Sequence, residues 1–419
     1  MDHETLKQII FDQHEVIKKA QIVNRDYVFE KDVNYVLIGL RRSGKSTLLY
    51  KRVKDLIQDG VNWKQIVYIN FDDERLLGFG VGDFEDILLA AEEITSEKHY
   101  FYFDEIQNID GWEKFAIRLA NAGEKVDITG SSAKMLSREV SAKLGGRYRT
   151  KIISPYSFNE FLRAKSIEKE SAYSVSDRAA IANAFQEFYR FGGFPESVNS
   201  IDKREYVSNI YEKILLGDII TRNSIRNENG MKVLIKKIAS TVSHDVSYTY
   251  LHNTLKSIGF SLSKDTVIDY CSYATHSFLL FALKNYYASF VDKESNSKFY
   301  FSDNGILNLF LAKDDTSLFE NLVAIALHKK YEGKLYYLKS SKTKIDIDFF
   351  IDEANIAVQA CYSMNETKTS EREIGQLKKL DETNPGKYKL IIVTMNESKA
   401  IPLERNSIQV VKLQDFLLS

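Results

Sequence analysis

The chain has 419 residues, of which 44% are hydrophobic and 27% are charged. This composition is typical of a globular protein of roughly two to four domains and excludes a disordered one. Lys and Arg total 57 against 58 for Asp and Glu. That balance excludes a uniformly basic, histone-like protein but not a local basic face. With only 2 cysteines, far apart, the chain has no disulfide framework.

The N-terminal residues carry charges every few positions, and no apolar run approaches the ~20 residues that span a bilayer. The sequence therefore predicts a cytoplasmic protein without a signal peptide and without a membrane partner.

Strands alternate with helices over residues 1–165, which we predict to be one domain. Short apolar runs predict five strands: Tyr35–Ile38, Gln65–Phe71, Tyr100–Phe103, Val126–Thr129 and Thr150–Ile153. Apolar residues at helical spacing predict helices at Lys45–Gln58, Phe84–Ile94 and Trp112–Ala122. Because this alternation is typical of parallel sheets, we expect an α/β fold with helices on both faces of the sheet.

Three further segments follow. Residues 166–224 are predicted to be a helical connector whose clearest helices are Ala179–Phe191 and Arg204–Thr221. Residues 225–300 predict three helices and then a hairpin: Met231–Val242, Tyr248–Ser257, Lys264–Phe281, Lys284–Val291 and Lys298–Phe301. Residues 301–419 return to a small α/β pattern, with a helix and two strands among its elements: Phe319–Lys330, Ile345–Ile351 and Ile356–Ala360.

The strongest motif runs from Gly39 to Ser46 and reads GLRRSGKS, between a predicted strand and a predicted helix. It fits G-x-x-x-x-G-K-[ST], the phosphate-binding loop, in full. Its glycines let the backbone wrap round phosphates, which the loop N–H groups and the helix N-terminus attract. We expect Lys45 to reach the β- and γ-phosphates of ATP and Ser46 to ligate Mg²⁺. The predicted nucleotide contacts are Gly39, Arg41, Arg42, Ser43, Gly44, Lys45, Ser46 and Thr47.

A second motif, His99 to Glu105, places two carboxylates after an apolar strand. Asp104 is predicted to hold Mg²⁺, and Glu105 to orient and deprotonate the attacking water. Adjacent carboxylates at this point favour hydrolysis of ATP over GTP. The alternative is two acidic residues that merely end a strand.

Two further residues are candidates for contacts with the γ-phosphate. Ser131 follows the fourth predicted strand, with Thr129 and Ser132 as close rivals, and the alternative is a helix-capping turn. Arg147 is a candidate arginine finger, either within its own chain or from a neighbouring copy, and the alternative is a surface arginine.

Four segments in this order resemble a family of bacterial and archaeal AAA-type ATPases: GLRRSGKSTLL, YFYFDEIQNIDGWEKF, ITGSSAKMLS and LGGRYRTKIISPYSFNEFL. Members of that family carry a C-terminal domain of unknown function that resembles a restriction-endonuclease fold. The resemblance implies ATP binding and hydrolysis, a winged-helix middle segment and a nuclease-like tail.

The middle segment is a candidate DNA-binding region, since a winged helix reads DNA with its third helix. From Arg226 to Asn285 there are 7 Lys and Arg against 4 Asp and Glu, a balance of +3. Asp265 and Asp269 lie in the third helix and would repel phosphate. DNA and a protein client are therefore both left open as partners, and an arginine finger acting between copies would require a homo-oligomer.

In the tail, Glu320, Asp346 and Asp348 are candidate acidic ligands of a nuclease-type metal site. The strand that normally carries an acidic residue and a lysine instead has Gln359-Ala360-Cys361. We therefore expect an inactive nuclease fold. An ATPase is the first hypothesis, a nucleotide-gated scaffold with negligible turnover the second, and a DNA nuclease the third.

Overall fold

The computed structural model describes residues 1–131, 144–167, 174–312 and 314–419. The chain divides into two units. The first contains Met1–Pro155 and His276–Phe278, and the second contains Tyr156–Thr275 and Leu279–Ser419.

A parallel sheet organises the first unit. Its strands are β1 (Asn34–Ile38), β2 (Ile66–Asn70), β3 (Tyr100–Asp104), β4 (Lys125–Gly130) and β5 (Tyr148–Ile152). They pair in the order β2-β3-β4-β1-β5, and every neighbouring pair is parallel. The helices are α1 (His3–Lys19), α2 (Lys45–Gln58), α3 (Phe84–Ile94) and α4 (Trp112–Asn121). The predicted five-stranded parallel sheet is confirmed, as the α/β fold of P-loop NTPases.

Alternate residues of β1 belong to different hydrophobic cores. Val36 and Ile38 pack in the core that includes side chains from α1, α3 and α4. Tyr35 and Leu37 pack in the core that includes Leu48, Leu49 and Val53 of α2. Because successive side chains of a strand point to opposite faces, helices cover both faces of the sheet, as predicted.

The strand register fixes which loops lie together. Ile38 pairs with Gly130 on one side and with Ile152 on the other, and Asn70 pairs with Asp104. The residues that follow β1, β3 and β4 therefore meet at one edge of the sheet. Asn34 pairs with Tyr148, so the residue before β5 lies at the opposite edge.

Within its described residues, the second unit contains two sheets. Its helices are α5 (Phe158–Ala164), α6 (Val175–Phe191), α7 (Lys203–Lys213), α8 (Glu228–Ala239), α9 (Tyr248–Ser257), α10 (Lys264–His276), α11 (Phe290–Ser295), α12 (Asn304–Asn308), α13 (Asp315–Lys330), α14 (Thr367–Thr383) and α15 (Leu413–Leu417). A π-helical segment, Ile214–Thr221, continues α7.

The smaller sheet is antiparallel, in the order β6-β8-β7, with strands β6 (Asp245–Ser247), β7 (Leu280–Leu283) and β8 (Asn296–Phe301). The larger sheet is mixed and has the order β13-β14-β12-β11-β10-β9. Its strands are β9 (Tyr336–Ser340), β10 (Ile345–Ile351), β11 (Ile356–Ala360), β12 (Lys389–Thr394), β13 (Lys399–Pro402) and β14 (Ser407–Lys412).

Two sequence predictions in this unit are wrong. The helix predicted over Lys264–Phe281 ends at His276, because Phe278 takes a left-handed φ of 59° that a helix cannot continue through. The predicted strand Lys284–Val291 is absent, and β7 pairs with β8 in its place. A short helix capped by Ser289, whose side chain accepts from the Asp292 N–H, occupies part of the intervening segment.

Candidate functional site

The loop between β1 and α2 depends on two glycines. Gly39 has a φ of 147°, and a Cβ there would lie 2.1 Å from the carbonyl oxygen of Ile153. Gly44 has a φ of 94° and caps the N-terminus of α2. No other residue would allow this close approach of loop and strand, so the glycine spacing in the sequence is a packing requirement.

Lys45 is the first residue of α2 and is only 4% exposed. Its Nζ donates to the carbonyl oxygens of Gly39 and Leu40, both at 3.2 Å, and lies 3.9 Å from Glu105 Oε1. The buried hydroxyl of Ser43 has no hydrogen-bond partner among the described residues. A buried lysine, an unpartnered hydroxyl and the N-terminus of a helix converge in a cradle that fits an anionic phosphate.

The other predicted nucleotide contacts lie in the same loop and the first turn of α2. Arg41, Ser46 and Thr47 are half-buried, whereas Arg42 is exposed and has a φ of 62°. Sequence reasoning missed Arg25, whose guanidinium donates to the carbonyl oxygens of Ser43 at 3.0 Å and Ser154 at 2.7 Å. Arg25 therefore ties the loop to the segment after β5.

Asp104 ends β3 and is buried. It accepts hydrogen bonds from the hydroxyls of Thr129 and, at 2.8 Å, of Tyr68. Burial and the neighbouring Glu105 raise the pKa of Asp104, and hydrogen bonds from Thr129, Ser46 and Tyr68 oppose that rise. A carboxylate beside the Ser46 hydroxyl fits Mg²⁺, which usually takes few protein ligands together with phosphate oxygens and water.

Glu105 adopts a left-handed conformation with φ 53° and ψ 37°. Its N–H donates to Thr129 Oγ1 at 2.9 Å, and its Oε2 accepts from Gln107 Nε2 at 2.5 Å. The same Gln107 nitrogen lies 3.5 Å from Ser131 Oγ. Backbone strain at a residue whose side chain is held from several directions is typical of functional positions. Gln107 thus joins two predicted site residues, although sequence reasoning gave it no role.

The remaining candidates divide between the two edges of the sheet. Ser131 is buried beside Gln107, and the Thr129 hydroxyl donates to the carboxylate of Asp104 and accepts the backbone N–H of Glu105. Ser132 lies outside the described residues. Arg147 is exposed, and its Nε donates to the side chain of Asn121. Because Arg147 precedes β5, it lies at the edge opposite the phosphate-binding loop and cannot reach that loop in its own chain.

The parallel sheet, the glycine loop and the paired carboxylates define a P-loop domain of the ATPase class. Residues 32–162 match the family described as an AAA domain, and residues 182–317 match a domain of unknown function, DUF8612. An uncharacterised protein of Methanocaldococcus jannaschii is 33% identical over 404 residues, covering 93% of this chain and 89% of the relative. The chain belongs to the same family of AAA-domain proteins.

Two further proteins resemble the chain over most of its length. An uncharacterised protein of Haemophilus influenzae is 29% identical over 419 residues, covering 96% of this chain and all of the relative (100%). Among solved structures, the Walker-type ATPase of Pyrococcus abyssi has 14% identity and a TM-score of 0.43, covering 70% of this chain and 99% of that one. Within the residues that the structure describes, no helix is long and apolar enough to cross a membrane.

Proposed function

We propose that the chain is a Mg²⁺-dependent ATPase that hydrolyses the bond between the β- and γ-phosphates of ATP. The observation that carries this proposal is the convergence of Lys45, Glu105 and Asp104 at one edge of the sheet. Membership of a family of AAA-domain proteins supports it.

The loop residues would hold the triphosphate. Lys45 would exchange its two carbonyl partners for β- and γ-phosphate oxygens, which are stronger, charged acceptors. Ser43 would donate its unpartnered hydroxyl to a phosphate oxygen. Ser46 and Asp104 would hold Mg²⁺, which supplies neutralisation of the phosphate charge when it is bound.

Glu105 would act as the general base. Its carboxylate takes a proton from a water molecule while the water oxygen bonds to the γ-phosphorus and the bond to the β-phosphate oxygen breaks, so that ADP and phosphate leave. Ser131 would contact the γ-phosphate or the attacking water. Arg147 would act as a finger only on a neighbouring copy, since its own loop lies at the other edge of the sheet. A homo-oligomer is therefore part of the proposal.

We also propose that the other segments respond to the nucleotide: a helical connector over 166–224, a winged-helix domain over 225–300 and a nuclease-like domain over 301–419. Three helices and a three-stranded antiparallel sheet support the winged-helix interpretation. DNA is the proposed ligand of that domain. A binding constant that falls steeply with salt would support it, whereas a flat salt response would exclude backbone recognition.

The decisive experiment measures ATP binding and phosphate release by the full chain. We expect Glu105→Gln to bind ATP as wild type does and to release phosphate at least ~100-fold more slowly, the range for loss of a general base. Glu97→Gln is the matched control, because Glu97 is an exposed carboxylate of the first unit. A wild type that binds ATP but releases no phosphate, with or without DNA, would instead favour a nucleotide-gated scaffold that binds a protein client.

A further inference from the structure

The second unit contains its own buried lysine, placed among the residues that sequence analysis assigned to a nuclease-type metal site. Lys298 of β8 is 4% exposed. Its Nζ lies 3.1 Å from Asp348 Oδ1 on β10 and 3.9 Å from Glu320 Oε1 on α13. The ammonium therefore stands between the two carboxylates that a divalent ion would have to bridge. Asp346, the third acidic candidate, is exposed.

Other groups also engage the oxygens that would coordinate a metal ion. Tyr300 donates its hydroxyl to Glu320 Oε1 at 2.8 Å, and the Ala360 N–H donates to Asp348 Oδ2 at 3.1 Å. Gln359 accepts the Asp348 N–H at 2.7 Å and donates to Glu373 Oε2 at 2.5 Å. Gln359 thus acts as a hydrogen-bonding bridge between strand and helix.

Lys298 keeps its proton, and therefore its positive charge, in this position. Burial lowers the pKa of Lys298, but Asp348 and Glu320 outweigh it and hold that pKa above its usual value. Burial and Asp348 raise the pKa of Glu320, and Lys298 opposes that rise. A divalent ion that bridged both carboxylates would have to displace the ammonium from Asp348 Oδ1 and Glu320 Oε1 and would leave that buried ammonium beside a second cation. The residues present therefore do not fit a bound metal ion.

Among the described residues, moreover, no group of three or more His, Cys, Asp and Glu side chains is arranged to hold a metal ion.

We infer that Lys298 is the built-in cation of a metal-free centre, taking the place of the divalent ion between Glu320 and Asp348. The centre joins β8 of the small sheet to α13 and to β10 of the larger sheet. In the native chain it binds no divalent ion. Without the lysine side chain, the buried carboxylate of Glu320 and the partly exposed carboxylate of Asp348 lose their shared cation, and the centre becomes a divalent-cation site. This inference does not depend on ATP hydrolysis.

The test measures the binding of Mn²⁺ to the full chain by electron paramagnetic resonance. We expect Lys298→Ala to bind about one Mn²⁺ per chain more than wild type, because two carboxylates suffice for a hard cation that keeps part of its water. Lys298→Ala/Asp348→Asn should lose that additional ion. Lys339→Ala is the matched control, since Lys339 is an exposed lysine on β9 that pairs with Asp245. It should bind as wild type does.

Two results would overturn the inference. One is Mn²⁺ binding by wild type that Asp348→Asn abolishes, since the native centre would then be a metal site. The other is a folded Lys298→Ala variant that binds no additional ion. If Lys298→Ala folds poorly, the recovery of folded protein with and without Mn²⁺ becomes the readout. Recovery with the ion supports the inference, and equal yields contradict it.

Discussion

Among the residues that the structure describes, each unit buries one lysine close to carboxylates, and the nearest partners of the two lysines differ. Lys45 donates at 3.2 Å to two neutral carbonyl oxygens of its own loop and lies 3.9 Å from Glu105. Lys298 lies 3.1 Å from the charged oxygen of Asp348 and 3.9 Å from that of Glu320. The partners of Lys45 lie five and six residues away, and those of Lys298 lie on other elements of the fold.

Because of these different partners, Lys45 can exchange its contacts for those of a ligand, whereas Lys298 cannot. A phosphate can displace carbonyl oxygens because it offers charged acceptors without leaving a buried carboxylate unpaired. Removing Lys298 leaves the buried Glu320 and the partly exposed Asp348 without their shared cation. The first arrangement suits a ligand site, and the second suits a structural one.

The largest effect we expect is on stability, from Lys298→Ala. Breaking a buried ion pair on one side destabilises by about 3–5 kcal/mol, because the remaining charge has no partner. Both tryptophans, Trp63 and Trp112, lie in the first unit, so their fluorescence reports its unfolding while far-ultraviolet circular dichroism reports both units. The dichroism midpoint in urea should fall markedly and the fluorescence midpoint should fall less.

A triple variant, Lys298→Met/Glu320→Gln/Asp348→Asn, separates charge from packing. It removes all three charges and should recover most of the lost stability. If the single and triple variants unfold at the same urea concentration, the lysine stabilises this unit through its packing and not through its charge.

The second effect is on catalysis, from Lys45→Ala. We expect ATP hydrolysis to fall by about 100- to 1000-fold, the range for removal of one preorganised charge-stabilising donor. The urea midpoints should change less than in Lys298→Ala, because the oxygens at 3.2 Å from Lys45 are neutral carbonyls and its carboxylate neighbour, Glu105, lies 3.9 Å away. Lys51→Ala on the same helix is the control, since Lys51 pairs with Asp55 at the surface. A large loss of stability in Lys45→Ala would mean that Lys45 stabilises its unit as Lys298 stabilises the other, which would contradict the comparison.

The sequence predicted which elements bring the first group of residues to one edge of the sheet, and the roles of Lys45 and Asp104 in binding ATP and Mg²⁺ stay predictions. The glycine loop, Lys45 and Asp104 lie next to predicted elements, so local pattern and parallel strand order were enough to bring them together. The sheet of the first unit follows from the same alternation of strands and helices.

The second arrangement could not be predicted, because its members are far apart in the chain. Lys298 lies 50 residues from Asp348. Its strand was predicted to pair with Lys284–Val291, and the actual partner is β7. Arg25 was missed for the same reason, because one of its contacts lies 129 residues away. Local periodicity carries no information about which distant charge a buried carboxylate meets.

Another buried carboxylate, that of Asp303, has backbone N–H groups as partners in place of a lysine, and it tests how far they compensate its charge. It accepts the N–H groups of Gly193 and Gly305, both at 2.8 Å. Burial outweighs these bonds and raises the pKa of Asp303 to about 6. Since the folded state then binds the proton more tightly than the unfolded state does, this residue's contribution to stability falls as pH rises from about 4 to 6.

The measurement compares urea midpoints of wild type and Asp303→Asn across that pH range. A pKa shift of about two units corresponds to roughly 3 kcal/mol in the free energy of unfolding, and we expect part of this difference to appear in the urea midpoints. The wild-type midpoint should fall relative to that of the variant between pH 4 and 6 and run parallel to it above pH 7. Parallel curves throughout would mean that the backbone N–H groups compensate the charge fully.

The smallest effect we expect comes from Gln107→Leu, which tests whether the partners of Glu105 can be exchanged as those of Lys45 can. Gln107 Nε2 donates to Glu105 at 2.5 Å and lies 3.5 Å from Ser131. As a positioning residue it would hold the general base in place, so its loss should lower kcat about tenfold and leave the ATP dissociation constant unchanged. Asn108→Ala is the control, because the Asn108 amide donates to Asp72 instead. A purely structural role for Gln107 would weaken ATP binding and stability together, whereas a loss confined to kcat places it in the hydrolytic step.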